Sequence, residues 1–384
     1  MIKISPQDIV MSHTPLRQYS ELFDRHVAVC GLGPVKEIAH NLGFKKVSTI
    51  EEISAAFPFL DACKPKEEMH TGPISHPNLE KIEAIILFGE PQRWEHSLQI
   101  LLDLLIHDGD PSKNLEDCGS DYQSHLPVFA CSSDLVWAGE APSPRLAHGS
   151  FLICLESLYE RITGHRLQYT SLIGKPSPVT YTFALSQLNA IAAKDFGATQ
   201  PLRRIYCIGD NVDVDVYGAN LYNLCLKTLT SEAFTKISRR VHSLIQEEHP
   251  NLTSMPFSEP GPEEAGQRSI YDTLIESSLA MPNILQQLAA HTHLEESVCS
   301  FSSILVLTGV YQEHHKLRVK WPDLLKPVKD IHPDLPHLPS LRVPDFVARD
   351  IEEAIKYILF LEGCLNEQIQ VTRSCPYLDE SHKD

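Results

Sequence analysis

The sequence predicts an α/β protein with a parallel β-sheet, because short apolar runs alternate along the chain with segments of helical spacing. Three apolar or β-branched runs have the length of strands: 26–30, 82–88 and 128–131. Each is followed by a segment whose apolar residues recur every three or four positions: 35–42, 94–106 and 151–162. Short turns between such segments indicate βαβ crossovers, which place the strands parallel in one sheet.

A second series of the same kind begins near residue 174. A helix is predicted at 178–188, strands at 204–208 and 303–307, and a closing amphipathic helix at 350–361. Residues 231–300 interrupt this rhythm with ten acidic residues, four basic residues and five prolines. We expect a surface insertion there, partly disordered, with one helix at about 270–280.

Length, composition and charge exclude several classes of protein. The chain has 384 residues, of which 42% are hydrophobic and 22% charged, as expected for two or three folded domains. Its formal net charge of −17 repels phosphate backbones and anionic lipid, so nucleic-acid and membrane-surface partners are not expected. The longest apolar run, at 98–106, is too short to cross a bilayer, so no membrane span is expected.

The sequence carries neither a targeting signal nor a cysteine framework. Residues 1–10 contain no basic flank followed by an apolar stretch, so we expect a cytosolic chain or a fragment. None of the ten cysteines forms a C-x-x-C pair, and several lie in apolar runs. This spacing indicates reduced thiols rather than disulfides or a zinc site.

The strongest candidate for chemistry is the acidic segment after the strand at 204–208. Asp210 follows the end of this apolar strand, at the edge where open α/β sheets bind their ligands. Asp215 lies five residues later and can turn back toward the same point from the start of the next helix. Two carboxylates that converge there suit Mg²⁺. The alternative is an acidic strand-to-helix turn in which Asp215 is the helix N-cap.

Lys175 is the candidate cation. It stands in the string Gly174-Lys175-Pro176-Ser177-Pro178, between a short apolar approach and a helix that begins with proline. One helix separates Lys175 from the strand that ends at Asp210, which is the spacing of a single βα unit. A cation and a metal-binding carboxylate on adjacent strand ends would form half of a phosphoryl-transfer site. The alternative is a solvated turn.

These strings carry a family resemblance. The chain resembles the haloacid dehalogenase (HAD) superfamily, in particular its class IIA, NagD-like phosphatases. Its third motif is similar to G-K-P-S-P here, and its fourth motif to G-D-N-x-x-x-D-x-x-G-A-N. Its closing strand is similar to S-I-L-V-L-T-G-V-Y. The resemblance implies that Asp210 binds Mg²⁺ with Asn211 and Asp215, and that Asp215 orients metal-bound water. It implies that Lys175 neutralises the nucleophile and the phosphoryl group.

The resemblance also implies a domain organisation. Residues 1–19 would connect the core to the cap, and residues 20–150 would form an α/β cap inserted over the site. Residues 151–230 would form the core with the third and fourth motifs. After the insertion at 231–300, residues 301–384 would complete the core and form the C-terminal tail.

One expected motif is missing. The family begins with a strand that ends D-x-D-G, whose first aspartate attacks phosphorus. The only D-x-D strings here are Asp108-Gly109-Asp110, after a helical run, and Asp213-Val214-Asp215, within the fourth motif. Residues 9–12 could be the second motif, a strand that closes on Ser12, but 12–15 also match a segment just before the cap. We therefore expect a chain that starts after both motifs, with an incomplete core sheet and no turnover.

Two functions are consistent with these observations. The first is a Mg²⁺-dependent phosphatase-like hydrolase of small phosphorylated metabolites, which is inactive in this truncated form. The second is a non-catalytic binding or scaffold module built on a cap and a partial core. The resemblance further suggests a mitochondrial location and a homo-oligomer formed through the cap.

Overall fold

The computed structural model describes most of the chain in two compact units. The first unit comprises Met1–Lys175 with Asp330–His332, and the second comprises Pro176–Lys329 with Pro333–Asp384. The residues described are 4–60, 79–113, 125–137, 140–141, 143, 145–230, 299–308, 332, 335–336, 338–365 and 372–373. The predicted insertion, apart from its last two residues, and its helix at 270–280 lie outside them.

A five-stranded parallel sheet forms the centre of the first unit, which confirms the predicted α/β class. The strands lie in the order β2-β1-β3-β4-β7, and each neighbouring pair is parallel. A two-stranded antiparallel hairpin, β5 and β6, stands apart from this sheet. The strands are β1 (His26–Cys30), β2 (Lys46–Thr49), β3 (Ala84–Leu87), β4 (Val128–Ala130), β5 (Val136–Trp137), β6 (Arg145–Leu146) and β7 (Ser171–Leu172).

Both faces of this sheet are covered. Successive side chains of a strand point to opposite faces, and every residue of β1 and β3 is buried. One face packs against a helical turn at Thr14–Gln18 and against α1, and the other packs against α2, α3 and α4. Burial on both faces explains why these strands read as continuous apolar runs. The helices are α1 (Val35–Leu42), α2 (Ile50–Ala56), α3 (Trp94–Ile106) and α4 (His148–Thr163).

Two segments of the first unit, at Ser12 and at Gly174, lie side by side. Gly174 adopts a φ of 97°, and a Cβ added there would lie 3.4 Å from the Cβ of Ser12. The unit continues beyond residue 150, where the sequence places the end of the cap, because α4 and β7 pack with the first sheet. Residues 9–11 form no strand, and Ile9 and Met11 are exposed. The interpretation of 9–12 as the second motif is therefore wrong.

The second unit contains a smaller, mixed sheet. Its strands lie in the order β11-β10-β9-β8, with β8, β9 and β10 parallel and β11 antiparallel to β10. Within the described residues β8 is an edge strand, and none of its residues is fully buried. The elements are α5 (Pro178–Phe196), β8 (Arg204–Gly209), α6 (Tyr217–Thr230), β9 (Ser300–Val306), β10 (Phe346–Ala348), α7 (Ile351–Leu361) and β11 (Thr372–Arg373).

The helix bounds follow local capping. The helix predicted at 178–188 continues to Phe196, where Gly197 ends it with a left-handed φ of 64°. Asp350 caps α7, because its carboxylate accepts a hydrogen bond from the Glu353 amide. No helix in the described part of the chain is long and apolar enough to span a membrane.

Candidate active site and metal centre

The candidate site is built on the turn that joins β8 to α6. β8 ends at Gly209, and a helical turn at Val212–Val216 leads directly into α6. Asn211 is the N-cap of this turn, since its side-chain oxygen accepts a hydrogen bond from the Asp213 amide at 2.9 Å. The alternative interpretation of Asp215 as the N-cap is therefore wrong. The Asn211 side chain already has a structural partner, and its proposed role as a metal ligand stays a prediction.

Asp215 turns back to the end of the strand. Its Oδ2 accepts a hydrogen bond from the Asn211 amide at 3.1 Å, while its own amide donates to the Asn211 carbonyl at 2.9 Å. The carboxylate thus lies beside the peptide that joins Asp210 to Asn211. Gly209 makes this approach possible, because a Cβ at that position would overlap the Asp215 side chain.

An ion pair fixes the middle of the turn. Arg342 binds Asp213 through two contacts, Nε to Oδ1 at 2.6 Å and Nη2 to Oδ2 at 3.0 Å. The two side chains are only 12% and 21% exposed. Paired guanidinium and carboxylate groups of this geometry combine charge with a fixed orientation. The Asp213 carboxylate is therefore paired with Arg342, and the D-x-D string at 213–215 is a structural part of the turn.

Tyr181 on α5 contacts the same turn through its hydroxyl. Its hydroxyl donates to the carbonyl of Asp215 at 3.1 Å and lies 3.3 Å from the carbonyl of Val214. Burial raises the pKa of Tyr181 well above its usual value, so this hydroxyl stays protonated and can donate. Gly218 leaves room for the ring, since a Cβ there would overlap it.

The G-A-N string continues this support into α6. Asn220 Nδ2 donates to the carbonyls of Leu341 and Val343, both at 2.9 Å, on either side of Arg342. Asn220 Oδ1 accepts from the hydroxyl of Ser303 at 3.2 Å. One asparagine therefore ties α6 both to the arginine-bearing turn and to β9, and the sequence analysis did not assign it this role.

Lys175 ends the long segment of the first unit, Met1–Lys175, whereas the acids at 210 and 215 belong to the second unit. It is exposed, and it follows β7 through Gly174. After it come the buried Pro176 and Ser177, and Ser177 is the N-cap of α5. The predicted sequence of strand, lysine and proline-started helix is therefore present.

The other D-x-D string lies at the wrong end of a sheet for a nucleophile. Asp108 follows α3 in a left-handed conformation with a φ of 50°, and it pairs with Lys81. The Gly109 carbonyl accepts from the Ile82 amide at 2.9 Å, just before β3 begins. This string therefore lies near the amino end of β3, whereas ligands of parallel sheets bind at the carboxyl ends.

The donor set suits magnesium better than a transition metal. No cluster of three or more His, Cys, Asp or Glu residues that could hold a metal occurs in the part of the chain that is described. Mg²⁺ keeps several waters and needs only one or two protein carboxylates together with substrate phosphate. Asp210 and Asp215 offer two carboxylates at one strand end, so the residues present fit this ion.

One comparison with known proteins matches the segment that contains the candidate residues. A family model described as HAD-hydrolase-like matches residues 172–229. This stretch begins in β7 and ends in α6. It therefore includes Lys175, Asp210, Asn211 and Asp215.

Two named proteins are similar to more than half of the chain. One is a cardiolipin synthase (CMP-forming)/mitochondrial hydrolase fusion protein of Schizosaccharomyces pombe, 31% identical over 226 residues that cover 58% of this chain and 37% of that protein. The other is a mitochondrial hydrolase of Saccharomyces cerevisiae, 27% identical over 251 residues that cover 59% of this chain and 70% of that protein. The chain thus spans little more than a third of the first relative.

Solved structures show only a distant likeness. A possible sugar phosphatase of the HAD superfamily from Cytophaga hutchinsonii aligns with a TM-score of 0.35 at 17% identity, over 57% of this chain and 60% of that one. The glycerol phosphate phosphatase Rv1692 from Mycobacterium tuberculosis, in complex with magnesium, aligns with a TM-score of 0.33 at 15% identity, over 58% and 49%.

Proposed function

We propose that the chain belongs to the HAD superfamily of hydrolases, which the family model and the two named relatives support, and that its chemistry is that of a Mg²⁺-dependent phosphatase acting through an aspartyl-phosphate. We further propose that these 384 residues do not hydrolyse a substrate by themselves, because none of their D-x-D strings is followed by glycine. The substrate class we propose is a small phosphorylated metabolite.

One observation carries this proposal most directly. The Asp215 carboxylate is hydrogen-bonded to the amide that follows Asp210, at the carboxyl end of a parallel strand. Nothing in a merely capped turn requires this arrangement, because Asn211 already supplies the cap. Gly209, which leaves space for the returning carboxylate, further supports a turn shaped around Asp215.

Each residue has a distinct proposed role. Asp210 would hold the metal, and Asp215, fixed by Asn211, would orient water in its shell. Lys175 would balance the negative charge of the phosphoryl group and of the attacking carboxylate. When bound, Mg²⁺ would supply positive charge to the phosphoryl oxygens.

We propose that the first unit is a class IIA cap. Ser12 and Gly174 lie side by side within it, as the chain must where an inserted domain leaves and rejoins a core at one place. Both named relatives are mitochondrial hydrolases in whole or in part, which supports a mitochondrial location.

The test is phosphate release from p-nitrophenyl phosphate with and without Mg²⁺. Two proteins are compared: this chain, and a version with a D-x-D-G strand added before it. We expect turnover only from the extended version, and a loss of at least about a hundredfold when Asp210→Asn is introduced there. The exposed Asp195→Asn is the matched control. Turnover by the chain as given would contradict the proposed inactivity.

The second candidate, a non-catalytic binding module, has one observation in its favour. The first unit has a continuous sheet with a buried core on both faces. The motif-bearing β8, by contrast, is half-buried at a sheet edge of the described residues. A monodisperse, cooperatively unfolding chain that binds no Mg²⁺ would favour this function over the first.

A further inference from the structure

A surface cleft of about 520 Å³ lies at the amino-terminal ends of β8 and β9 in the second unit. Its lining residues are Arg203, Arg204, Tyr206, Ser300 and Glu362. This volume falls in the range of small-molecule sites, roughly 300–1,000 Å³. The cleft takes no part in the site at Asp210, and none of its residues was assigned a role by the sequence motifs.

Glu362 organises one side of the cleft. Its Oε1 accepts hydrogen bonds from Arg204 Nη1 at 3.0 Å and from the Tyr206 hydroxyl at 2.5 Å, and Arg204 Nη1 also lies 3.4 Å from that hydroxyl. These two donors lower the pKa of Glu362, with Tyr206 as the larger cause. Glu362 is thus ionised at neutral pH and holds Arg204 in a fixed orientation. Among the described residues Arg204 donates only through Nη1, so its Nε–H and Nη2–H groups remain available to a ligand.

Arg203 adds a second guanidinium that Glu362 does not neutralise. The Arg203 carbonyl accepts a hydrogen bond from the Ser300 amide at 3.1 Å, which fixes its backbone at the rim. Its side chain makes no hydrogen bond or ion pair with any of the described residues. The cleft therefore carries two guanidinium groups against one carboxylate, although the whole chain has a net charge of −17.

We propose that this cleft binds a phosphate group, as inorganic phosphate or as a phosphate monoester. Guanidinium groups match phosphate oxygens in paired hydrogen bonds, and they do so better than a lysine ammonium. Arg203 and the remaining donors of Arg204 would hold the oxygens, and Ser300 lines the same cleft.

The proposed cleft is separate from the candidate active site. β8 runs from Arg204 at the cleft to Gly209 beside the acids, and six residues of strand span roughly 20 Å. A phosphate bound in the cleft therefore cannot reach Asp210, and this proposal does not depend on the proposed phosphatase activity.

The test is isothermal titration of the full chain with inorganic phosphate and with glycerol phosphate, in the presence of a metal chelator. Arg203→Ala should weaken binding by about tenfold or more, because a charge-assisted hydrogen-bonding group is lost. Glu362→Gln should tighten binding, because it removes the carboxylate that competes for Arg204. Arg161→Ala, at an exposed position on α4, is the matched control and should leave phosphate binding unchanged.

Each outcome decides the proposal. Stronger binding of glycerol phosphate than of inorganic phosphate would identify an ester as the ligand, whereas equal binding would identify the phosphate alone. Binding that Arg203→Ala leaves unchanged would overturn the proposal, as would no binding at millimolar phosphate. Tighter binding of citrate than of either phosphate would overturn the assigned ligand class.

Discussion

Arg342 and Asp213 form an ion pair across 129 positions of sequence, with Nη2 donating to Oδ2 at 3.0 Å and Nε 2.6 Å from Oδ1. This ion pair also fixes the candidate site, because Asp213 lies two residues before Asp215 in the same helical turn. Asn220 holds the carbonyls on either side of Arg342, so the arginine is itself fixed. The position of Asp215 thus depends on a turn of chain far away in sequence.

Arg342→Ala should destabilise the second unit and displace the turn. The variant leaves a largely buried carboxylate at Asp213 without its partner, and such losses cost about 3–5 kcal/mol when burial is complete. Since the two side chains are 12% and 21% exposed, we expect about 2 kcal/mol in a urea unfolding experiment. Arg349→Ala is the control, because Arg349 is 80% exposed in its ion pair, and its loss should cost under about 0.5 kcal/mol. Equal costs for both variants would refute this role of Arg342.

Gly209→Ala should push the Asp215 carboxylate away from the end of β8. The added Cβ would occupy the position of the Asp215 side chain, so the variant should bind Mg²⁺ more weakly, by about tenfold or more. Gly89→Ala is the matched control, since a Cβ there meets open space. Calorimetric Mg²⁺ titration of the three proteins makes the comparison. An unchanged Mg²⁺ affinity for Gly209→Ala would mean that Asp215 does not need this position.

His148 should make the stability of the first unit depend on pH. Burial lowers the pKa of this histidine to about 4, because a charged imidazolium is disfavoured in the core beside Phe151. The unfolded chain takes up a proton near pH 6.5, whereas the folded chain takes it up only near pH 4. The contribution of His148 is therefore constant above pH 6.5 and is lost as the pH falls from 6.5 to about 4.

The measurement is the free energy of unfolding at pH 7.5 and at pH 4.5, for the wild type and for His148→Phe. Between these two pH values the variant should lose less free energy of unfolding than the wild type, by on the order of 2–3 kcal/mol. His165→Phe, at an exposed position, is the control and should follow the wild type. Identical pH dependence of wild type and His148→Phe would contradict the buried, neutral histidine.

Elements with a clear apolar period could be predicted from the sequence. α3 and β1 have the predicted bounds, because α3 repeats its apolar residues at helical spacing and β1 is apolar throughout. β2 and α2 were missed. β2 is a short edge strand, Lys46–Thr49, whose place is decided by its pairing with β1. For α2 a signal existed, since Thr49 and Glu52 form reciprocal hydrogen bonds typical of a capping box.

The candidate site, too, could be predicted from the sequence only in part. The five-residue spacing of Asp210 and Asp215 is local, and the return of Asp215 to the strand end could be read from it. The arginine that fixes the turn could not, because no local pattern distinguishes Arg342 from any other arginine in a loop. The alternative that placed an N-cap at Asp215 is wrong and the cap is Asn211, since both residues are good N-caps and only the backbone of the turn decides between them.

The central assignment is that Asp210 and Asp215 bind Mg²⁺ at the end of β8. Calorimetric titration of the chain with Mg²⁺ tests it without any need for turnover, using Asp210→Asn, Asp215→Asn and the exposed Asp195→Asn as control. Binding by the wild type and the control, with a loss of about tenfold or more in both site variants, is the predicted result. Mg²⁺ binding that survives unchanged in Asp210→Asn and Asp215→Asn, or no binding by the wild type, would contradict the assignment.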